Sequence, residues 1–559
     1  SNTTGTRNTA VGRHALIDCT TGTDNTAVGY NALDELTTGT HNTGFGSSVL
    51  QKLTTGGYNV AMGTYALDAN TTGQFNTSLG YGSLSANTTA SSNTAIGEQA
   101  LNANTTGYNN TAVGCEAGQS VTTGDKNVAI GKGALEETTT GDKNIAIGYR
   151  ALKNNETTSG HVAIGDEALY YNTTGTDNVA VGYTALRQNT EGNDNTAIGN
   201  IALYDNTTGS QNTAVGDQAL NNNTTATNNT ACGRNALGSN TTGGNNTAVG
   251  TYALDANTTA NNNTACGYDA LGANTTGYSN SAVGYSALSA TTTGVHTTAV
   301  GYQAMINATT ADYCTAIGDR VMGGATMTGN ENTMMGHYAG YDITTGYDNC
   351  AMGTSTLSNV TTGYRNTAIG KVAQHDTTTG HSNTCLGQDS GYNISTGSSN
   401  VCIGYLAGKG QQTTGDNALY IARAASGSGN TSVWIHGNAS GQCHQGDNST
   451  HWSTTSDRRL KKNIVDSPKG LTEIDQLRVA NFEYRTREEI DMNEFPLADD
   501  PGQVVLGEGN EGVHTGVIAQ EIEAILPECI KVSDKGAKTV QTDPIMWALV
   551  NAVKELSAK

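Results

Sequence analysis

A 17-residue repeat that runs from Asn8 to Gly404 constrains this chain more than any other feature. Each copy follows, with variations, the pattern Asn-Thr-Ala-(Val/Ile)-Gly-Tyr-x-Ala-Leu-x-x-Asn-Thr-Thr-Gly-x-x, and there are 24 copies. We number the repeat positions 1 to 17 from the leading Asn. Position 1 departs from Asn only at His161, Thr297 and Cys314, and position 5 is Gly in all 24 copies. One extra residue lies between Cys314 and Asn332. Such regularity predicts a repeat architecture.

The length of the repeat favours one coil of a parallel β-solenoid. A unit of 17 residues is too short for a helix-turn-helix repeat but holds two short strands and two turns. Positions 1 to 4 alternate as a strand does, with Thr and Val on one face and Asn and Ala on the other. Gly at position 5 turns the chain, Tyr-x-Ala-Leu is predicted to form the second strand, and Asn-Thr-Thr-Gly the second turn.

The apolar content of one coil is small, which predicts that several chains associate. We assign to the core one Ala, one Val or Ile, and one Ala-Leu pair per coil. A single thin solenoid with so little apolar area would hardly offset its chain entropy. A homotrimer with a shared core solves this problem. All five prolines follow the repeats, as an unbroken hydrogen-bond ladder requires.

The Asn-Thr-Ala-(Val/Ile)-Gly repeat resembles the head repeats of trimeric autotransporter adhesins, and more closely the repeat shafts of phage tail fibres. The resemblance covers about the first 404 residues. It implies a trimeric shaft built as a left-handed parallel β-roll.

Charge and cysteine placement exclude several classes of function. The chain carries 28 Lys and Arg against 49 Asp and Glu, and both the repeats and the tail are acidic. This argues against nucleic-acid binding, and no apolar run is long enough for membrane insertion. The ten cysteines include no CxxC pair, so we read them as small core residues and predict no metal site and no cofactor. Cys385 and Cys402 occupy the same position of consecutive coils.

The sequence divides into three parts. Residues 1–404 are the predicted solenoid. Residues 405–455 form a predicted β-rich neck with two strands, Ala418–Ala422 and Ser432–His436. Residues 456–559 form an α+β domain in which charge density is about three times higher. Because Ser1 to Gly5 stand in the middle of a coil and solenoids end in caps, we expect further sequence before them.

The C-terminal part contains two predicted helices. The first lies within Gly516–Glu528 and is stopped by Pro527. The second begins at Asp543-Pro544, as an N-cap followed by proline, and ends the chain. Its apolar residues have heptad-like spacing, which fits a trimeric coiled coil or an ordinary core face equally well. They are Met546, Leu549, Val553 and Leu556.

This part resembles the endosialidase-type intramolecular chaperone, peptidase family S74. The motifs are Ser456-Asp457-x-x-Leu460-Lys461-x-Asn463-Ile464 and Gly516-x-Ile518-Ala519-Gln520-Glu521, followed by Pro527-Glu528. Members of this family trimerise, help a β-solenoid fold in register and often cut themselves off. The resemblance implies a Ser456–Lys461 dyad that cleaves the Thr455–Ser456 bond, with Ser456 as nucleophile and Lys461 as base. Without the resemblance, Ser456 reads more simply as a helix N-cap.

The sequence therefore predicts a phage tail fibre or similar virion appendage, located outside the cell. Its expected partners are two further copies of the chain and a host cell-surface receptor, for which a glycan is a candidate. The alternative is a bacterial surface adhesin or extracellular filament that retains the chaperone. Enzymatic activity on external substrates is not predicted, since no carboxylate pair recurs at a glycosidase spacing. Candidate receptor-binding regions are the irregular coil at 322–335 and a tyrosine-rich face, formed by Tyr170, Tyr171 and Tyr204.

Overall fold

The computed structural model describes residues 2–410, 414–422, 433–437, 443–445, 464–494, 513–532 and 537–559. Contacts divide the chain into two compact units, residues 1–452 and residues 453–559. The first unit is a long parallel β-solenoid and the second is a small α+β unit.

The solenoid has 24 coils, each contributing one three-residue strand at positions 2 to 4. Each strand pairs in parallel with the strand of the next coil, at a register of one repeat, as in Thr213↔Thr230. With about 4.8 Å per strand, the stack is about 115 Å long. The strands are β1 Thr9–Val11, β2 Thr26–Val28, β3 Thr43–Phe45, β4 Val60–Met62, β5 Thr77–Leu79, β6 Thr94–Ile96, β7 Thr111–Val113, β8 Val128–Ile130, β9 Ile145–Ile147, β10 Val162–Ile164, β11 Val179–Val181, β12 Thr196–Ile198, β13 Thr213–Val215, β14 Thr230–Cys232, β15 Thr247–Val249, β16 Thr264–Cys266, β17 Ser281–Val283, β18 Thr298–Val300, β19 Thr315–Ile317, β20 Thr333–Met335, β21 Cys350–Met352, β22 Thr367–Ile369, β23 Thr384–Leu386 and β24 Val401–Ile403.

The second strand predicted for each coil is wrong. Positions 7 and 9 lie in the left-handed region, as Asn235 with φ 54° and Leu237 with φ 53° illustrate, so Tyr-x-Ala-Leu forms consecutive turns. The left-handed conformation destabilises the fold by about 1–2 kcal/mol per residue. The Leu side chain is completely buried, and this burial stabilises the fold by about 1.5–3 kcal/mol. The turns still carry inter-coil hydrogen bonds, such as Leu237 N–H to the Ala253 carbonyl at 2.9 Å.

The Gly at position 5 is required by both conformation and space. Its φ lies between 116° and 146° in all 24 coils, where other residues are strained. A Cβ on Gly216 would lie 2.6 Å from the carbonyl oxygen of Gly233 in the next coil. Any side chain at this position would therefore push the coils apart.

Buried asparagines form two ladders inside the stack. At position 1, the Asn229 side-chain oxygen accepts the Asn246 backbone N–H at 2.9 Å, and its amide donates to the Gly243 carbonyl at 2.9 Å. At position 12, the Asn240 amide donates to Asn223 Oδ1 at 3.1 Å and also to the Gly243 carbonyl. These bonds satisfy polar groups that would otherwise be costly to bury.

The solenoid core is narrower than the sequence predicted. Ala at positions 3 and 8 and Leu at position 9 are buried, but the Val or Ile at position 4 points outward. Assigning that residue to the core of a single chain is therefore wrong. Cys385 in β23 and Cys402 in β24 are both buried and lie opposite each other in the strand register. Neither forms a disulfide bond.

The predicted neck strands are present. β25 Leu419–Ala422 pairs in parallel with β24. β26 Val433–Gly437 then pairs with β25 in the antiparallel direction. A further strand, β27 Cys443–Gln445, pairs with β26. The pairing is therefore parallel as far as β25 and antiparallel from β25 to β27.

In its described part, the second unit contains three α-helices and two small antiparallel sheets. The helices are α1 Leu471–Ile474, α2 Ala519–Ile525 and α3 Thr542–Ser557; 3-10 turns lie at Arg487–Glu489, Met492–Glu494 and Pro527–Cys529. The strands are β28 Ala480–Phe482 with β29 His514–Gly516, and β30 Ile530–Val532 with β31 Lys538–Val540.

Candidate functional site

The predicted catalytic residues Ser456 and Lys461, and the Thr455–Ser456 bond, lie outside the described residues. Their assignment stays a prediction.

The Gly516–Glu521 motif connects a strand to a helix. Gly516 ends β29 opposite Ala480 of β28, and a Cβ there would lie 3.2 Å from the Phe482 ring. Helix α2 follows at once and buries Ile522. Pro527 ends this helix segment, as predicted, and starts a turn whose Cys529 is buried with Ile522.

Glu521 of this motif is oriented by an arginine. Arg478 Nη1 donates to Glu521 Oε1 at 2.9 Å. The second carboxylate oxygen, Oε2, is buried and has no hydrogen-bond partner among the described residues. In the described part of the unit, one Glu521 carboxylate oxygen is therefore held by an ion pair, and the other has no hydrogen-bond partner.

Helix α3 packs by one narrow face and exposes another. Ala548 and Ala552 are buried, the Asn551 amide donates to the Lys469 carbonyl at 2.9 Å, and Glu555 Oε2 accepts the Leu471 N–H at 3.1 Å. The helix begins at Thr542, earlier than the predicted Asp543–Pro544 start, with Gln541 as the preceding cap residue.

The heptad-spaced residues of α3 do not form a core face within the chain. They are exposed by 48 to 57%: Met546, Leu549, Val553 and Leu556. Trp547 beside them is 63% exposed. Of the two interpretations left open by the sequence, the ordinary core face is therefore wrong for the single chain.

The outer face of the solenoid sheet carries a continuous apolar stripe. Position 4 holds Val, Ile, Leu, Met, Phe or Cys in all 24 coils. Ile198 is 41% exposed and Val249 is 39% exposed. Position 2 beside it is mostly Thr or Val. We call positions 2 and 4 of β1 to β24 the strand face.

The irregular coil at 322–335 repacks the core. An open surface pocket of about 360 Å³ is also lined by its residues 328–331 and by residues of the next coil. An isolated bridge pairs Met327 with Ala308 at position 12, which places the extra residue between Gly324 and Met327. Met322, Met327 and Met334 are all buried. Flexible methionine side chains fill irregular space well, which explains their concentration here.

The tyrosine-rich face surrounds an arginine that the sequence analysis did not single out. Arg187 Cζ lies 5.2, 5.0 and 5.9 Å from the ring centres of Tyr170, Tyr171 and Tyr204. Arg187 Nε donates to Glu167 Oε2 at 2.7 Å. The available signal was position 10, where Tyr170, Arg187 and Tyr204 replace the small or polar residues of many other coils.

Among the described residues, no group of three or more His, Cys, Asp or Glu side chains is arranged to hold a metal ion. No helix in these ranges is both long and apolar enough to cross a membrane.

Comparison with known proteins identifies the C-terminal part. Residues 456–531 match the family model of Peptidase_S74, the chaperone of endosialidase. The matched range contains Ser456, Lys461 and the Gly516–Glu521 motif. No curated protein and no solved structure gives a significant match to the chain.

Proposed function

We propose that this chain, a 24-coil solenoid followed by an endosialidase-type chaperone domain, forms the trimeric shaft of a phage tail fibre or tail spike. The shaft attaches the virion to a host cell-surface receptor and lies outside the cell. The chaperone domain aligns the three chains and then cuts itself off. This combination of solenoid and chaperone domain fits a tail fibre or tail spike.

The apolar strand face is the observation that most supports a trimer. Soluble monomers rarely expose contiguous apolar patches larger than a few hundred Å², whereas this stripe continues along about 115 Å of parallel sheet. Its side chains are half-exposed in the single chain, as Ile198 and Val249 illustrate. Three copies that pack their strand faces together would supply the shared core that the thin coil lacks.

A chaperone solves a problem created by the repeat itself. Every coil pairs with the next at the same strand register and through nearly the same asparagine ladder. If the three chains are displaced by one repeat, their contacting side chains are therefore still the same almost everywhere. Register must be set where the sequence is not periodic. The exposed apolar side of α3, at heptad spacing, is suited to bring three C-terminal ends together in a coiled coil.

The cleavage chemistry follows from the dyad. Lys461, as the general base, accepts the Ser456 hydroxyl proton as the oxygen attacks the Thr455 carbonyl carbon. The proton passes to the departing Ser456 nitrogen, which leaves Thr455 as an ester on Ser456. Water then hydrolyses that ester, which frees the Thr455 carboxylate and restores the Ser456 hydroxyl.

The first test is the denatured mass of freshly expressed chain. We expect wild type to split into 1–455 and 456–559, and Ser456→Ala and Lys461→Ala to stay at 57.6 kDa. Ser467→Ala, at an exposed serine, is the control and should split normally. An intact wild type would contradict the dyad and make the tail a retained trimerisation domain.

The second test is the native mass of the Ser456→Ala chain. We expect three times 57.6 kDa, and loss of the trimer in Ile198→Asp, which places a charge on the strand face. Thr208→Asp, at an exposed position off that face, should remain trimeric. A monomeric parent chain, or a trimeric Ile198→Asp variant, would contradict the proposal.

A further inference from the structure

An open groove lies on the solenoid surface where the tyrosine-rich face meets the following coils. It encloses about 400 Å³. Its lining includes Glu167, Tyr183, Arg187, Tyr204, Asp205 and Asn221. These residues occupy positions 6, 7, 10 and 11 of four consecutive coils, so the groove follows the stack.

Among the described residues, the only cation that lines the groove is already neutralised. Arg187 is paired with Glu167 at 2.7 Å, and both side chains are largely buried, at 18% and 22% exposure. The Arg187 guanidinium also contacts Tyr204, whose hydroxyl accepts a hydrogen bond from Nη1 at 3.4 Å. With Asp205 added, the described lining carries a net negative charge, so an anionic ligand is disfavoured.

The groove instead presents hydrogen-bond acceptors without donors. Asn221 Oδ1 is buried and has no hydrogen-bond partner among the described residues. The Asp205 carboxylate also has no hydrogen-bond partner among the described residues. Partial burial raises the pKa of this carboxyl group. A buried acceptor without a donor, such as Asn221 Oδ1, is costly and uncommon, whereas the half-buried Asp205 carboxylate lines the groove itself. A ligand rich in hydroxyl groups would supply donors to both.

An exposed aromatic ring forms one wall. Tyr183 is 57% exposed, and no ring or cation of the described residues stacks on it. Elsewhere at position 6 tyrosines stack on each other, as Tyr268 does on Tyr285 with ring centres 5.2 Å apart. Tyr183 therefore offers a free apolar face beside the acceptors.

We propose that this groove binds an uncharged saccharide, whose hydroxyl groups donate to Asp205 and Asn221 while one sugar face lies on the Tyr183 ring. Tyrosine is suited to this role because it combines an apolar body with a polar end. The inference rests on the proposed attachment function and adds to it the class of receptor: a neutral glycan, not a sialylated or phosphorylated one. Repetition of the chain in a trimer would present three grooves, which raises avidity for a glycan-covered surface.

The test uses the full-length Ser456→Ala chain on an array of immobilised neutral, N-acetylated and sialylated oligosaccharides, with hexalysine as a cationic peptide probe. We expect binding to at least one neutral or N-acetylated member. Tyr183→Ala and Asp205→Ala should each weaken that binding by about tenfold or more. Tyr81→Ala removes an exposed tyrosine from the same repeat position in a distant coil and should change nothing.

Three outcomes would overturn the inference: no neutral member bound, preference for sialylated members or hexalysine, or equal loss in Tyr81→Ala. The native mass of each variant is measured in parallel. Failed sugar binding by a chain that is still trimeric removes the groove but leaves the shaft proposal standing. A chain that is not trimeric contradicts the shaft proposal itself.

Discussion

The solenoid and the C-terminal unit use polar groups in opposite ways. Each typical coil buries an asparagine whose amide and carbonyl are both bonded, as Asn229 shows. The C-terminal unit has a small apolar cluster around Ile522 and Cys529, and its ion pairs, such as Arg478–Glu521, are largely exposed. Stability in the solenoid therefore depends on buried repeated contacts, and the same kind of change should cost much more there.

Gly216→Ala should have the largest effect. The new Cβ would lie 2.6 Å from the Gly233 carbonyl oxygen, at a φ of 136°, so both strain and collision oppose the stack. We expect a loss of more than about 4 kcal/mol, measured as faster amide hydrogen exchange across neighbouring coils. Gly82→Ala is the matched control, because its φ is 62° and its nearest new contact is at 3.5 Å. Equal exchange in the two variants would show that position 5 does not set the coil spacing.

Asn229→Ala should follow, with a loss of about 3 kcal/mol. It leaves the buried Asn246 N–H without its partner, at about 1–3 kcal/mol, and removes one of the two side-chain donors to the Gly243 carbonyl, which keeps the Asn240 amide. Exchange of the Asn246 amide reports the loss directly. Thr208→Ala, at an exposed side chain, is the control and should leave exchange unchanged. Protection that persists at Asn246 in Asn229→Ala would contradict the importance of the ladder.

His161 interrupts that ladder and should make one coil sensitive to acid. It is buried at position 1, where Nδ1 accepts the Asn178 N–H at 3.2 Å and Thr158 lies 2.9 Å from Nε2. Burial lowers its pKa from 6.5 to about 4. Its neutral form is therefore favoured in the folded coil, and stability that is complete above pH 6.5 falls as the pH drops towards 4, by about 3 kcal/mol.

The measurement is hydrogen exchange of the coils around residue 161 between pH 7 and pH 4, corrected for intrinsic rates. His161→Asn restores the residue of the repeat and should remove the acid-dependent part. His296→Asn, an exposed histidine of another coil, should not. An unchanged pH dependence in His161→Asn would assign the acid sensitivity to carboxylates.

Periodicity explains why so much of the fold could be read from the sequence. The coil, the parallel register, the common face of Thr and Val and the neck strands follow from alternation and repeat length. The turns at Leu237 and its equivalents could not be read, because leucine carries no signal for a left-handed conformation. Nor could the outward Val be separated from the core, since a residue that packs against another chain has the same composition as one that packs within its own.

The site was predictable only where a motif or an irregularity marked it. The chaperone motifs identified the C-terminal unit, and Tyr170, Tyr171 and Tyr204 marked the face beside the groove. Glu167, Asp205 and Asn221 were not found, because acidic and amide residues occur at many exposed positions of the repeats. Two features distinguish these three residues from other polar residues of the repeats. They come together in one groove across four coils, and Asn221 Oδ1 has no hydrogen-bond partner among the described residues.

Arg478→Ala should have the smallest effect and so completes the comparison. Its partner Glu521 is 39% exposed and Arg478 itself is 69% exposed, and an ion pair in water contributes less than about 1 kcal/mol. Exchange in α2 should therefore change little, whereas loss of one buried asparagine amide in the solenoid costs several times more. If Arg478→Ala instead opens α2 as strongly as Asn229→Ala opens its coil, Glu521 is held in a buried arrangement that involves more than this one arginine. Glu521 Oε2, which is buried and has no hydrogen-bond partner among the described residues, is the atom through which such an arrangement would act.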